Sequence, residues 1–168
     1  PAGPVDTGMT TTAVIAGVGP GLGASLARRF ADEGCRVALF ARTESTIADL
    51  AADIRDAGGE ALAVPTDLAD PDAIHAGFAT VRDELGPVDV LVNHASAASW
   101  DGLTDAAPED FQRALDVGPT AALHCSQEAV ADMREAGGGT VIFTGATTSV
   151  RGREGAVGFS AAKFACRG

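Results

Sequence analysis

The sequence predicts a doubly wound α/β domain, a Rossmann-like parallel sheet in the order 3-2-1-4-5 with helices on both faces. Three observations carry that reading. Short β-branched apolar runs alternate with helical patterns of about 10–15 residues, as in right-handed βαβ crossovers. A glycine cluster stands between the first run and the first helix. No repeat of solenoid period and no low-complexity linker divides the chain, whose 168 residues suit one domain.

The elements follow in order. Thr12 to Ala16 is a short apolar run stopped by glycines, as a fully buried parallel strand reads. Leu22, Leu26 and Phe30 recur at helical spacing until Gly34, and Arg36 to Ala41 is strand again. Ile47, Leu50, Ile54 and Ala57 mark a second helix closed by Gly58-Gly59, and Ala61 to Val64 a third strand. Asp70 or Pro71 opens a helix with Ile74, Phe78, Val81 and Leu85 on its apolar face, and Val88 to Val92 is the fourth strand. Pro108 starts the longest helix, faced by Phe111, Leu115, Ala122, Cys125, Ala129 and Met133 and ended by Gly137 to Gly139. Thr140 to Phe143 is the fifth strand, left as an uncovered edge, and a last helix begins near Ser160. Pro119 interrupts the longest helix, because proline removes a backbone bond and clashes with the preceding turn.

Composition narrows the function classes. The chain is 46% hydrophobic and 21% charged, which is globular, and its net charge of −11 lacks the basic footprint of a nucleic-acid binder. No apolar run reaches the roughly 18 residues that span a bilayer, and Pro1 to Thr12 lacks a signal-peptide pattern, so a soluble, cytoplasmic protein is expected. Cys35, Cys125 and Cys166 are an odd number at wide spacing, so they read as reduced structural thiols, with no metal site. Residues 1–11, with Met9 preceded by a Pro/Gly-rich stretch, read as a disordered N-terminal extension outside the 12–168 domain.

The glycine cluster is Gly17-Val18-Gly19-Pro20-Gly21-Leu22-Gly23. Alone it fits a tight turn as well as a phosphate loop; after a strand, at the start of a helix, it favours a dinucleotide pyrophosphate held on the helix N-terminus. Its G-x-x-x-G-x-G spacing, with Gly19 extra, resembles the short-chain dehydrogenase/reductase family. Asp67-Leu68 after the third strand, Asn93-His94-Ala95-Ser96 after the fourth, and Phe159-Ser-Ala-Ala-Lys163 fall in order where that family carries its other landmarks. The resemblance runs from Thr12 to the end of the chain. It implies an adenine contact at Asp67, which could otherwise be a turn cap. It also implies a sheet-steadying amide at Asn93, with Ala95 beside the cofactor. The second strand ends in Phe40-Ala41-Arg42-Thr43 without the carboxylate that selects NAD, so Arg42 is expected to hold a 2′-phosphate, giving NADP(H) preference with NAD(H) still possible.

The same resemblance implies a catalytic tyrosine, lysine, serine and asparagine, of which the lysine alone is kept as Lys163. Phe159 stands in the tyrosine position and has no proton to give. Ala146 stands in the serine position, with Thr147, Thr148 and Ser149 as neighbouring hydroxyls, and Gly118 in the asparagine position, where the family's helix is distorted. Lys163 outside that pattern would be a solvated helix charge, and His94 reads as a structural histidine more readily than as a replacement acid. His75 and His124 have no role. The expected function is an oxidoreductase transferring hydride between NADP(H) and a small carbonyl or alcohol. The alternative is a catalytically impaired dinucleotide-binding protein, a sensor or inactive paralogue. The resemblance further implies that the domain is incomplete at its C-terminus, marginally stable and aggregation-prone alone, binding the adenosine half of the cofactor better than the nicotinamide half, and that homo-oligomers belong to the full-length protein only.

Overall fold

The computed structural model describes residues 10–97 and 100–168; the stretch 1–9, where most of the expected extension falls, and residues 98 and 99 lie outside the described residues. In chain order the elements are β1 (Thr12–Ala16), α1 (Leu22–Asp32), β2 (Arg36–Ala41), α2 (Glu44–Asp56), β3 (Glu60–Pro65), α3 (Pro71–Glu84) and β4 (Val90–Asn93). Then come α4 (Pro108–Leu115), a π-turn (Asp116–Thr120), α5 (Ala121–Ala136), β5 (Thr140–Phe143), a 3₁₀ turn (Thr147–Ser149) and α6 (Val157–Ala165). The five strands form one sheet in the order β3-β2-β1-β4-β5, every neighbouring pair parallel.

Alternation along the strands divides the core between the two faces of the sheet. Val14, Ala16 and Phe40 face α3 and α5, where Phe78, Val81, Cys125 and Met133 meet them, and Phe40 and Phe78 pack edge to face at 5.3 Å. Ile15, Leu39 and Val92 point the other way, onto Ala27 of α1 and Ile47 and Ile54 of α2. Gly77 permits the first contact, since a Cβ there would come within 3.1 Å of the Phe40 ring. Asp70 caps α3 by accepting from the Asp72 N–H at 2.9 Å, with Pro71 in the first turn. Gly137 ends α5 at φ +84°, a left-handed position that glycine adopts without penalty. Arg82 fastens α3 to α5: its Nε donates to both Asp132 oxygens (2.9 and 3.1 Å) and its Nη1 to Glu128 at 3.0 Å. Burial opposes the Glu128 charge, yet hydrogen bonds from His75 and Arg82 hold its carboxyl below the usual range.

Two helical details differ from the sequence reading, and the expected interruption at Pro119 takes a definite form. The buried face of α1 is Gly23, Ala27 and Ala31; Leu22 is 54% exposed, because small residues bring this helix closest to the sheet. Ala57 caps α2 and is exposed. The longest helix is two α-segments joined by the π-turn, in which the Ala121 N–H reaches the Asp116 carbonyl five residues back. The interruption is where Pro119 requires it: proline lacks an N–H, and the wider π-turn accommodates its ring. Across it, α4 packs on α6, while α5 packs on α3 and β4. The edge strand β5 leaves Phe143 46% exposed, and α6 begins at Val157, three residues before Ser160. Among the described residues no helix is long and apolar enough to cross a membrane.

Candidate nucleotide-binding and active site

A cavity of about 400 Å³ opens at the carboxyl ends of the strands, lined by Gly17, Val18, Gly19, Pro20, Arg42 and Asp67, among others. Its floor is set by two interlocks. The Gly17 and Val18 N–H groups both donate to the Phe40 carbonyl, at 3.0 and 2.8 Å, fixing the glycine loop to the end of β2. Gly17 adopts φ +106°, and a Cβ there would lie 2.5 Å from the Ala95 backbone, so the β4 loop presses directly on it. Gly23 is equally enclosed, 2.9 Å from the Gly17 carbonyl for the same added atom. Gly19 and Gly21 differ: nothing lies within 4 Å of a Cβ on either. Two glycines therefore serve packing and two leave backbone bare to the open space beside the N-terminus of α1, where anions are favoured.

The sequence-designated residues fall into three groups. Gly17, Gly19, Arg42, Asp67, Leu68 and Ala95 line the large cavity. Asn93, Gly118 and Lys163, with Leu68 and Ala95 again, line an adjoining space of about 10 Å³. Gly21, Leu22 and Gly23 start α1 immediately after Pro20, and Ala146 and Phe159 line neither space. Arg42 is exposed and has no ion-pair partner among the described residues. Asp67 does cap a turn, accepting from the Ala69 N–H at 3.0 Å, while also standing in the cavity wall. Asn93 donates to Ser126 at 3.1 Å and ties β4 to α5.

The small space is organised by Thr144, which sequence reasoning missed. Its carbonyl accepts from Lys163 Nζ at 3.0 Å, and its hydroxyl pairs with His94 Nδ1 at 3.0 Å. Lys163 is 8% exposed, and burial lowers its pKa. The hydroxyls near Ala146 are mostly engaged or enclosed: Ser149 Oγ accepts from the Ala146 N–H at 3.0 Å, Thr148 is 3% exposed, and Thr147 is open. Thr46, Ser96, Arg113 and Val117 also line the large cavity without having been singled out. Arg113 and Val117 stand one helical turn apart on the α4 side, a spacing that signals a shared face only once that face is known to border the cavity.

Residues 11–168 match the family of short chain dehydrogenases. The chain belongs to the short-chain dehydrogenase family. A 3alpha-hydroxysteroid dehydrogenase from Mediterraneibacter gnavus is 30% identical over 159 residues, which are 93% of this chain and 63% of that protein. The short-chain reductase protein NovJ of Streptomyces niveus is 34% identical over 94% of this chain and 60% of its own length. The chain thus spans about 60% of the length of these relatives. Among solved structures, a metagenomic short-chain oxidoreductase in complex with NADP superposes with a TM-score of 0.89 at 28% identity, covering 95% of this chain and 72% of that one. L-Sorbose reductase from Gluconobacter frateurii, complexed with NADPH and L-sorbose, gives 0.89 at 30% identity, covering 94% and 60%. In this family member the five-strand order is that of the family fold.

His94 gives the site a pH dependence. Burial, and then the charge of Lys163, lower its pKa below the ordinary value of 6.5. The unfolded chain takes up this proton before the folded chain does, so stability rises with pH in the window just below 6.5 and is lost as pH falls through it. Denaturation midpoints measured from pH 5 to 8 are expected to show this slope in the native chain and to lose it in His94→Gln.

Proposed function

We propose that the chain binds a nicotinamide dinucleotide, NADP(H) in preference to NAD(H), and acts as an oxidoreductase interconverting a small carbonyl compound and its alcohol. The observation that carries this reading is the cavity lined together by the bare backbone of Gly19, the Arg42 guanidinium, which has no ion-pair partner among the described residues, and the Asp67 carboxylate. The residues suit the group: Gly19 and Gly21 leave the space a pyrophosphate needs, Asp67 and Leu68 border the adenine end, and Arg42 supplies a charge-assisted partner for a 2′-phosphate. Bound there, a nicotinamide would give hydride to the carbonyl or accept it from the alcohol. This chain's residues position it and handle the proton.

That proton cannot come from Phe159. Lys163 holds one, over the Phe159 ring at 5.7 Å from its centroid, and its lowered pKa makes its ammonium a readier donor than a free lysine. The free cysteines, Cys35, Cys125 and Cys166, suit a reducing compartment such as the cytoplasm, and burial pushes the Cys125 thiol up to about 12. A second reading, nucleotide binding without turnover, is favoured by one observation, that Phe159, Ala146 and Gly118 stand in the positions of the family's tyrosine, serine and asparagine.

The cofactor reading is tested by titrating NADPH and NADH against the native chain and Arg42→Ala. NADPH is expected to bind about tenfold or more tightly than NADH, and Arg42→Ala to erase the difference by weakening NADPH alone. Equal affinities in the native chain would remove the preference, and no binding of either would remove the proposed function.

A further inference from the structure

Phe159 does not end in open space. The Trp100 ring lies against it, centroids 5.1 Å apart and planes inclined by 49°, and the Arg153 guanidinium stands 5.3 Å over the Trp100 ring. Lys163 Nζ lies over the Phe159 ring at 5.7 Å. A cation, two aromatic rings and a second cation therefore run in series from the surface to the position where the family keeps its proton donor. The arrangement is anchored from both sides. The Val157 N–H donates to the Asp101 carbonyl at 3.4 Å, fixing the Trp100 loop to the start of α6. Gly158 lets α6 approach α4, a Cβ there meeting Ala114 at 3.3 Å, so the backbone under Phe159 has little freedom.

Burial and charge say what such a shelf would take. Trp100 is 58% exposed, a large apolar area for a free side chain to offer water. Arg153 is exposed, and among the described residues no carboxylate lies within ion-pairing distance of it, although Glu154 adjoins it in sequence and Asp101 adjoins Trp100. In a chain of net charge −11, an arginine left unpaired over an exposed indole is set to receive an anion whose apolar part stacks. The rings select planar, conjugated ligands, and the guanidinium selects a carboxylate by two parallel hydrogen bonds.

We propose that Trp100, Phe159 and Arg153 form a substrate subsite for aryl keto acids, with the aromatic ring on the exposed part of the indole beside Phe159 and the carboxylate on Arg153. The assignment of a substrate class rests on the oxidoreductase reading above; the binding step does not.

Trp100 is the one tryptophan in a chain without tyrosine, so intrinsic emission reports on this shelf alone. Three probes separate its parts: phenylglyoxylate carries ring, ketone and carboxylate, its methyl ester lacks the charge, and pyruvate lacks the ring. With NADPH present, phenylglyoxylate is expected to change the emission saturably and, by calorimetry, to bind about tenfold or more tightly than either of the others. Arg153→Gln is expected to bring phenylglyoxylate down to the ester's affinity, and Trp100→Leu to bring it down to pyruvate's. Both variants should keep native NADPH affinity, which also verifies that they fold. Equal affinity for the three probes, or an unchanged phenylglyoxylate affinity in Arg153→Gln, would overturn the subsite. NADPH binding with no preference among the probes sinks the subsite and leaves the oxidoreductase reading intact; failure of NADPH itself to bind sinks that reading instead.

Discussion

Phe159→Tyr is expected to raise carbonyl-reductase turnover by about 10²–10⁴-fold, the span that a positioned general acid contributes. The ring position is already supported: Lys163 Nζ stands 5.7 Å from its centroid, held there by the Thr144 carbonyl at 3.0 Å. A cation so placed favours the ionised phenol, so the new group should titrate below the ordinary tyrosine value of about 10. Reduction needs the neutral phenol, so the gain should fade as pH rises through that new pKa; oxidation of the alcohol needs the phenolate and should gain over the same interval. Phe159→Leu, which adds no hydroxyl, should show no increase. NADPH oxidation against a panel of carbonyls is the measurement. If the tyrosine variant binds NADPH yet remains as slow as the native chain, the next variant adds Ala146→Ser, and silence from both would establish nucleotide binding without turnover as the better description.

The glycine loop should divide into positions that the fold needs and positions that the nucleotide needs. Gly17→Ala places a methyl 2.5 Å from the Ala95 backbone at φ +106°, and it is expected to cost about 3 kcal/mol of stability, since neither the strand end nor the turn can yield cheaply. Gly21→Val meets no protein atom within 4 Å of its Cβ and should cost the fold much less than Gly17→Ala, while NADPH affinity falls by about tenfold or more. Thermal melts and NADPH titrations on the two variants separate the effects. A Gly21→Val chain that binds NADPH normally would show that the phosphates lie elsewhere.

Much of the fold could be read directly because each signal was local. Thr12 to Ala16, Arg36 to Ala41 and Thr140 to Phe143 each have a glycine or a charged residue at one end (Gly17, Arg42 and Gly139), and their strand limits coincide with the observed ones. Asp70-Pro71 announces a capped helix in two residues. What escaped reading depends on contacts between distant segments. Thr144 joins His94 to Lys163 only because β4 and β5 pair in a register that sets Asn93 opposite Phe143. The Trp100 contact with Phe159 spans a loop and a helix whose meeting no periodicity encodes. On α1 the departure is Leu22 alone: Leu26 and Phe30 pack against the core as their spacing predicts, while close approach to the sheet selects the small residues Gly23, Ala27 and Ala31 on the adjoining stripe.

The π-turn has an evolutionary consequence. A π-turn behaves as a single-residue insertion, which rotates everything on one side by about 100° relative to everything on the other. Here that rotation lets α4 address α6 while α5 addresses the sheet and α3. Deleting any one of residues 116–120 would remove that extra residue and turn one of those two faces away from its partner. The length of this stretch is thus under far tighter constraint than its chemistry.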